Sequence, residues 1–157
     1  MKKSKLAIIV PYRNRKKQLD RFIKHIDKFF SDKDTDYHIF VVEQSDNKSF
    51  NQGKLLNIGF ASTIRKEYPS NRQNFDSELR TRTSYSLAKS FRRKWRDHKC
   101  SDWDFTHYAF HDVDLLPEKD VDYSYPEHHP IHLAGYTSEY DYQLQFADYF
   151  GGVTLFT

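Results

Sequence analysis

Leu6-Ala7-Ile8-Ile9-Val10-Pro11-Tyr12-Arg13-Asn14-Arg15 is the stretch on which the fold turns. Its first five residues are a continuous apolar run rich in β-branched side chains, the pattern of a strand buried on both faces of a parallel sheet, and Pro11 closes it. Beyond the arginines, Leu19, Phe22, Ile23, Ile26, Phe29 and Phe30 recur at three- and four-residue steps with charges between them. That periodicity predicts an amphipathic helix over 16–30. A polar break at 31–36 follows, and Tyr37 to Val42 reads as a second strand. Strand, helix and strand in this order make a βαβ unit with a right-handed crossover.

Farther along, Leu55, Leu56, Ile58, Gly59, Phe60 and Ile64 predict a second helix from Gly53 to near Tyr68-Pro69. Residues 69–101 change character: nine Arg and Lys, from Arg72 to Lys99, face only Asp76, Glu78 and Asp97. Leu87, Phe91 and Trp95 at four-residue steps predict a basic helix there. This segment reads either as a solvated surface excursion or as a docking surface for an anionic partner. Phe105 to Phe110 resumes a buried-strand pattern and runs into His111-Asp112-Val113-Asp114. A polar loop covers 118–130, Ile131 to Ala134 reads as a short strand, and Tyr149 to Phe156 as another.

The chain of 157 residues fits one domain over 1–157, with 69–101 as a basic insertion. Lys plus Arg is 25 against Asp plus Glu 22, so the net charge of +3 favours no nucleic-acid partner. Phe 13, Tyr 11 and Trp 2 supply an aromatic core that a disordered chain would lack. Cys100 is the single cysteine, so no intrachain disulfide forms. The apolar run after Lys2-Lys3-Ser4-Lys5 stops at Pro11, too short for a secretory h-region of about 7–15 residues. No run reaches the roughly 18 apolar residues of a membrane span, and the expected location is cytoplasmic.

Three strand ends carry candidate chemistry. Five Asp-x-Asp pairs occur, at Asp32/Asp34, Asp34/Asp36, Asp102/Asp104, Asp112/Asp114 and Asp120/Asp122. Only Asp112/Asp114 directly follows a buried-strand pattern, where residues at i and i+2 share a face and two carboxylates suit a hard divalent cation. Pro11-Tyr12-Arg13-Asn14-Arg15 lies between strand and helix, where anions bind and arginines grip phosphate, although a basic surface turn reads equally well from these residues alone. The loop is neither a Walker A nor a GxGxxG. Glu43-Gln44 ends the second strand on the same edge, so arginines, carboxylates and an amide converge on one crevice, which favours a nucleotide-diphosphate site with a metal. Gly151-Gly152 permits close backbone approach to a ligand, or is a plain turn. His107 and His111 stand four apart, a spacing that pairs side chains on a helix. In this strand-like stretch that spacing loses its meaning. No HExxH or cysteine pair supports zinc.

The blocks Ala7 to Arg15, Phe40-Val41-Val42-Glu43-Gln44, Phe50-Asn51-Gln52-Gly53-Lys54-Leu55-Leu56-Asn57-Ile58-Gly59-Phe60, His111 to Pro117 and Tyr149-Phe150-Gly151-Gly152-Val153 resemble, in order, the β-1,4-galactosyltransferase family. His111 and Asp122 to Glu127 look like its xylose-accepting branch. The resemblance implies an α/β fold of GT-A type, a mostly parallel sheet flanked by helices, and here C-terminally incomplete. It implies transfer of galactose or a related hexose from a UDP-sugar to a sugar hydroxyl, with inversion, using Mn²⁺. By that analogy Pro11, Tyr12, Arg13 and Arg15 hold the diphosphate and Phe50 packs on the uracil. Asp112 and Val113 meet the donor, Asp114 ligates the metal, and Tyr149 and Gly152 line the cleft.

The chain also departs from the family. The Trp-Gly-Trp-Gly-Gly-Glu-Asp-Asp block that supplies acceptor site and catalytic base does not occur, so no catalytic residue is nominated. Gln52 stands where an arginine is usual, and Glu139 where many members have lysine. Expected partners are UDP-galactose or a related UDP-sugar, a carbohydrate acceptor, and a complementing C-terminal polypeptide. Besides the transferase reading, the residues allow a UDP-sugar-binding half-domain without turnover, or an anionic-partner docking module working through 69–101.

Overall fold

The computed structural model describes residues 4–64, 83–85 (backbone only), 104–143 and 151–157. Strand β1 (Lys5–Tyr12) is followed by helix α1 (Lys16–Phe29), β2 (Asp36–Glu43), α2 (Gln52–Ile64), β3 (Thr83–Tyr85), β4 (His107–His111), β5 (Ile131–His132), a 3₁₀ turn (Ser138–Tyr140) and β6 (Val153–Phe156). They build one six-stranded sheet in the order β3-β2-β1-β4-β6-β5. β1 pairs in parallel with β2 and with β4. The outer pairs β2–β3, β4–β6 and β5–β6 are antiparallel. The parallel expectation therefore holds for the three central strands, and the sheet as a whole is mixed. β5 and β6 need no crossover helix, because an antiparallel neighbour can return through a loop.

β1 is central because its sequence can be buried on both sides. Leu6 to Val10 are all 0% exposed. Leu6, Ile8 and Val10 face α1, packing with Phe22, Ile26, Phe30, Ile39, Val41, Ala109 and Leu155. Ala7 and Ile9 face α2, packing with Phe40, Val42 and Leu55. Helices on both faces of a sheet make the α/β architecture that the apolar runs predicted. α2 lies close because Gly59 has no side chain: a Cβ there would sit 2.4 Å from Ile9 Cγ2 and 2.9 Å from Val42 Cγ2.

Element bounds moved little. The 105–110 strand starts at His107, because Phe105 turns aside to pack on the α2 face. The 131–134 strand shortens to β5. The expected end of α2 near Tyr68-Pro69, the basic segment 69–101 apart from the backbone of 83–85, and Tyr149-Phe150 lie outside the described residues. Among the described residues no helix is long and apolar enough to cross a membrane.

Candidate donor cleft

Parallel pairing puts the carboxyl ends of β1, β2 and β4 on one sheet edge, and a cleft of about 360 Å³ opens there. Pro11, Arg13, Arg15, Phe50, Gln52, Asp112, Val113 and Asp114 line it. Seven of the expected site residues are thus brought together from three separate parts of the chain.

The arginines are aimed by the turn between β1 and α1. Asn14 adopts a left-handed backbone (φ 54°), which asparagine tolerates better than most residues. Arg15 is the N-cap residue of α1 and lines the cleft, so the helix begins at the cleft wall. Arg13 donates to the Lys48 carbonyl at 2.5 Å, and its guanidinium carbon lies 5.4 Å from the centre of the Phe50 ring. Phe50 is 43% exposed, an apolar face left open beside a cation.

Asp112 and Asp114 come together by a different route from strand alternation. β4 ends at His111, and the pair sits in a turn closed by Leu115 N–H donating to the Asp112 carbonyl at 3.4 Å. Val113 plunges into the α1-side core, 5% exposed, which leaves the flanking carboxylates on the outside. Gln52 Nε2 donates to Asp112 Oδ1 at 2.6 Å, tying the first turn of α2 to the acidic turn. Asp114 pairs with Arg15. Burial, and then the Asp114 carboxylate, push the Asp112 carboxyl up to about 6, against a smaller opposing pull from Arg15.

The oxygen donors of Asp112 and Asp114, in a cleft that already strains to hold both charges, fit a hard divalent cation that completes its shell with phosphate oxygens. Among the described residues no group of three or more His, Cys, Asp or Glu could hold a metal alone. Asp32, Asp34, Asp104, Asp120 and Asp122 are exposed, as expected of solvated loop carboxylates, Asp36 is exposed at the start of β2, and Asp102 lies outside the described residues.

Three expected contributors sit elsewhere. Tyr12 does not line the cleft: it follows Leu6, Ile8 and Val10 on the α1-facing side of β1, and its carbonyl accepts the Gln44 N–H at 3.0 Å. Gln44 does not offer its amide to the crevice. It is 5% exposed and clamps the loop beyond β2, donating to Asp46 at 2.6 Å and the Ser49 carbonyl at 3.0 Å while accepting from Asn51 N–H at 2.9 Å. It thereby places Phe50 and the N-terminus of α2. Gly152 (φ 72°) acts through its carbonyl, which accepts the Asp112 N–H at 2.8 Å. Tyr149 lies outside the described residues.

Sequence reasoning missed the polar layer behind the turn. His107 and His111 are both buried on the α1-facing side of β4, because residues four apart share a strand face as well as a helix face. Burial holds the His111 imidazole down at about 4, hence neutral. A second cavity of about 470 Å³ shares Asp114 with the cleft and is lined by Leu115, Leu116, Glu118, Tyr136 and Tyr142, among others.

Residues 1–76 match the family model described as the N-terminal region of glycosyl transferase group 7. The chain is 33% identical over 150 residues to beta-1,4-galactosyltransferase 4 of Homo sapiens, covering 96% of this chain and 33% of that protein. It is 31% identical over 156 residues to beta-1,4-galactosyltransferase 3 of Homo sapiens, covering 99% of this chain and 30% of that protein. The chain therefore spans about a third of the length of these curated relatives. In structure it resembles the catalytic domain of Drosophila beta1,4galactosyltransferase 7 in complex with xylobiose, with TM-score 0.62 and 28% identity over 98% of this chain and 48% of that one. A mutant of the same enzyme in complex with manganese, UDP-Gal and xylobiose matches equally well.

Proposed function

Because the chain belongs to the β-1,4-galactosyltransferase family, we propose that its cleft is the donor end of a glycosyltransferase that moves galactose from UDP-galactose to a sugar hydroxyl with inversion. The observation that carries this reading is the assembly of Arg13, Arg15, Phe50, Asp112 and Asp114 around one cavity at the carboxyl ends of parallel strands. Phe50 offers a flat apolar face to a pyrimidine, with Arg13 against the ring. Arg15 and the N-terminus of α1 take the diphosphate. Asp114, with Asp112 beside it, would hold Mn²⁺, which supplies Lewis-acid neutralisation of charge on the departing diphosphate. In the free chain Arg15 and Asp114 neutralise each other, so donor binding exchanges one ion pair for two: arginine with phosphate, and carboxylate with cation. The second cavity meets the first at Asp114 and suits a sugar acceptor, since tyrosines and carboxylates are its main polar lining.

Thermal unfolding with UDP-galactose, with and without Mn²⁺, tests the reading. Ligand at 100 times its dissociation constant stabilises by about 2.7 kcal/mol. A rise in Tm that needs Mn²⁺ and vanishes in Asp114→Ala is the expected result, and no rise in a cooperatively folding sample overturns it. Because the cleft residues named above bind rather than transfer protons, a UDP-sugar-binding unit without turnover predicts the same shift. Galactosyl product from a sugar acceptor separates the two.

A further inference from the structure

The acidic turn rests on a buried polar support. His107 and His111 are 0% and 1% exposed, and both reach Tyr123, itself 2% exposed. His107 Nε2 lies 2.9 Å from the Tyr123 carbonyl, and His111 Nε2 lies 2.8 Å from the Tyr123 hydroxyl. A carbonyl can only accept, so the positions of the ring hydrogens follow. His107 donates from Nε2, and its Nδ1 lies 2.8 Å from the Thr106 hydroxyl, whose one hydrogen also faces the Lys5 carbonyl at 3.1 Å. His111 Nδ1 is 2.8 Å from the Asp112 carbonyl, so the hydrogen is on Nδ1 and Nε2 accepts from the Tyr123 hydroxyl. Two histidines on one strand face thus hold opposite tautomers, His107 fixed by the Tyr123 carbonyl and His111 by the Asp112 carbonyl, while each touches a different oxygen of the same tyrosine. The Phe22 ring stands edge-on to His111 at 4.8 Å, and the Tyr123 ring lies within 9° of its plane, which fixes the imidazole orientation.

The Asp112 peptide is gripped from both ends. Its N–H donates to the Gly152 carbonyl at 2.8 Å, and its carbonyl receives both His111 Nδ1–H and the Leu115 N–H that closes the turn. We propose that Tyr123 and His111 are positioning residues: the hydrogen-bond chain from the Tyr123 hydroxyl through His111 to the Asp112 carbonyl sets the turn that aims Asp112 and Asp114 at a divalent cation. What the carboxylates hold rests on the donor-site reading above. The chain that holds the turn does not.

The test uses the whole chain in four forms: unaltered, Tyr123→Phe, His111→Asn and His111→Leu. The first readout needs no ligand. Nitrogen-15 NMR reports the His111 tautomer, and hydrogen exchange reports the Asp112 and Leu115 amides, with β1 amides as the control for global stability. The unaltered chain shows hydrogen on Nδ1, and exchange at Leu115 speeds about tenfold in His111→Leu, as loss of a buried hydrogen bond implies. His111→Asn places an amide N–H where Nδ1–H stood and restores most of that protection, a rescue that space-filling alone does not produce. Hydrogen on Nε2, or unchanged turn exchange in His111→Leu and Tyr123→Phe, overturns the proposal. The second readout is calorimetric titration with UDP and Mn²⁺. Affinity is expected to fall about tenfold from the unaltered chain to His111→Leu, with Tyr123→Phe between them and His111→Asn close to the unaltered chain. Equal affinities beside altered turns also overturn it. If the unaltered chain binds no UDP with Mn²⁺, the donor reading fails, while the exchange data still decide whether Tyr123 and His111 hold the turn.

Discussion

The two faces of the central sheet are built on different principles. The α1 face mixes hydrocarbon with a buried polar layer, in which Phe22, Ile26 and Leu6 pack beside His107, His111 and Tyr123. The α2 face is a steric fit: Gly59 lets the helix settle onto Ile9 and Val42, and Phe60, Phe105, Tyr108 and Phe110 complete an aromatic rim. The contrast shows how one sheet serves two ends. The α2 face fixes where α2 begins and thus where Gln52 and Phe50 stand, whereas the α1 face reaches under the acidic turn and holds its backbone.

The largest effect should come from breaking the α1 face at its centre. Phe22→Ala removes a fully buried ring that also packs on His111, and a loss of about 4 kcal/mol is expected in urea unfolding. A loss near 1 kcal/mol would show that this face repacks easily. The α2 face should fail by overpacking instead. Gly59→Leu, pressed against two β-branched side chains, is expected to cost about 3 kcal/mol, although leucine is the better helix former. A stabilised variant would mean that α2 can lift off the sheet freely.

Acid sharpens the comparison. His38, beside Phe40 and Phe105, belongs to the α2 face, and burial, then Lys5, lower its pKa to about 4. Its folded pKa lies below the ordinary 6.5, so its contribution is complete above pH 6.5 and is lost as pH falls through about 4. Stability should therefore drop by about 3 kcal/mol from this group across that window, and His38→Phe should flatten the limb. An unchanged acid limb in the variant would assign the loss wholly to the α1-face histidines. The smallest stability effect should be at the cleft: Arg15→Gln removes an ion pair about half exposed on both sides and costs about 0.5 kcal/mol or less. The same variant should weaken Mn²⁺-dependent UDP binding about tenfold in calorimetry, and unchanged affinity would remove Arg15 from the diphosphate site.

The α/β order, the two helices and the burial of β1 were legible because their periodicities are strong and local. The cleft membership of Arg13, Arg15, Asp112 and Asp114 was legible through strand-end logic and resemblance together, and that of Phe50 through resemblance alone. Tyr12 came in with the Pro11 to Arg15 loop and with the resemblance, although the alternation of Leu6, Ile8 and Val10 already assigned it to the α1 side. Gln44 looked like a site amide because it ends a strand, and only the path of the following loop shows it bonding inward. The His107–His111 spacing does carry a signal, since four residues align side chains on strands too. The fit at Gly59 has no local signature, because it depends on Ile9 and Val42 from two other elements.

The bond from Asp112 N–H to the Gly152 carbonyl also bears on the order in which the molecule is made. β1, α1 and β2 can pair as soon as they leave the ribosome, but the acidic turn waits for a residue roughly forty positions downstream, about 2–8 s at ordinary synthesis rates. During that interval the nascent chain has its arginines and an acidic turn that the Gly152 carbonyl does not yet hold. It is basic at the future cleft before Gly152 secures the acidic turn that balances that charge, so its hold on a nucleotide is not complete until the start of β6 has been made.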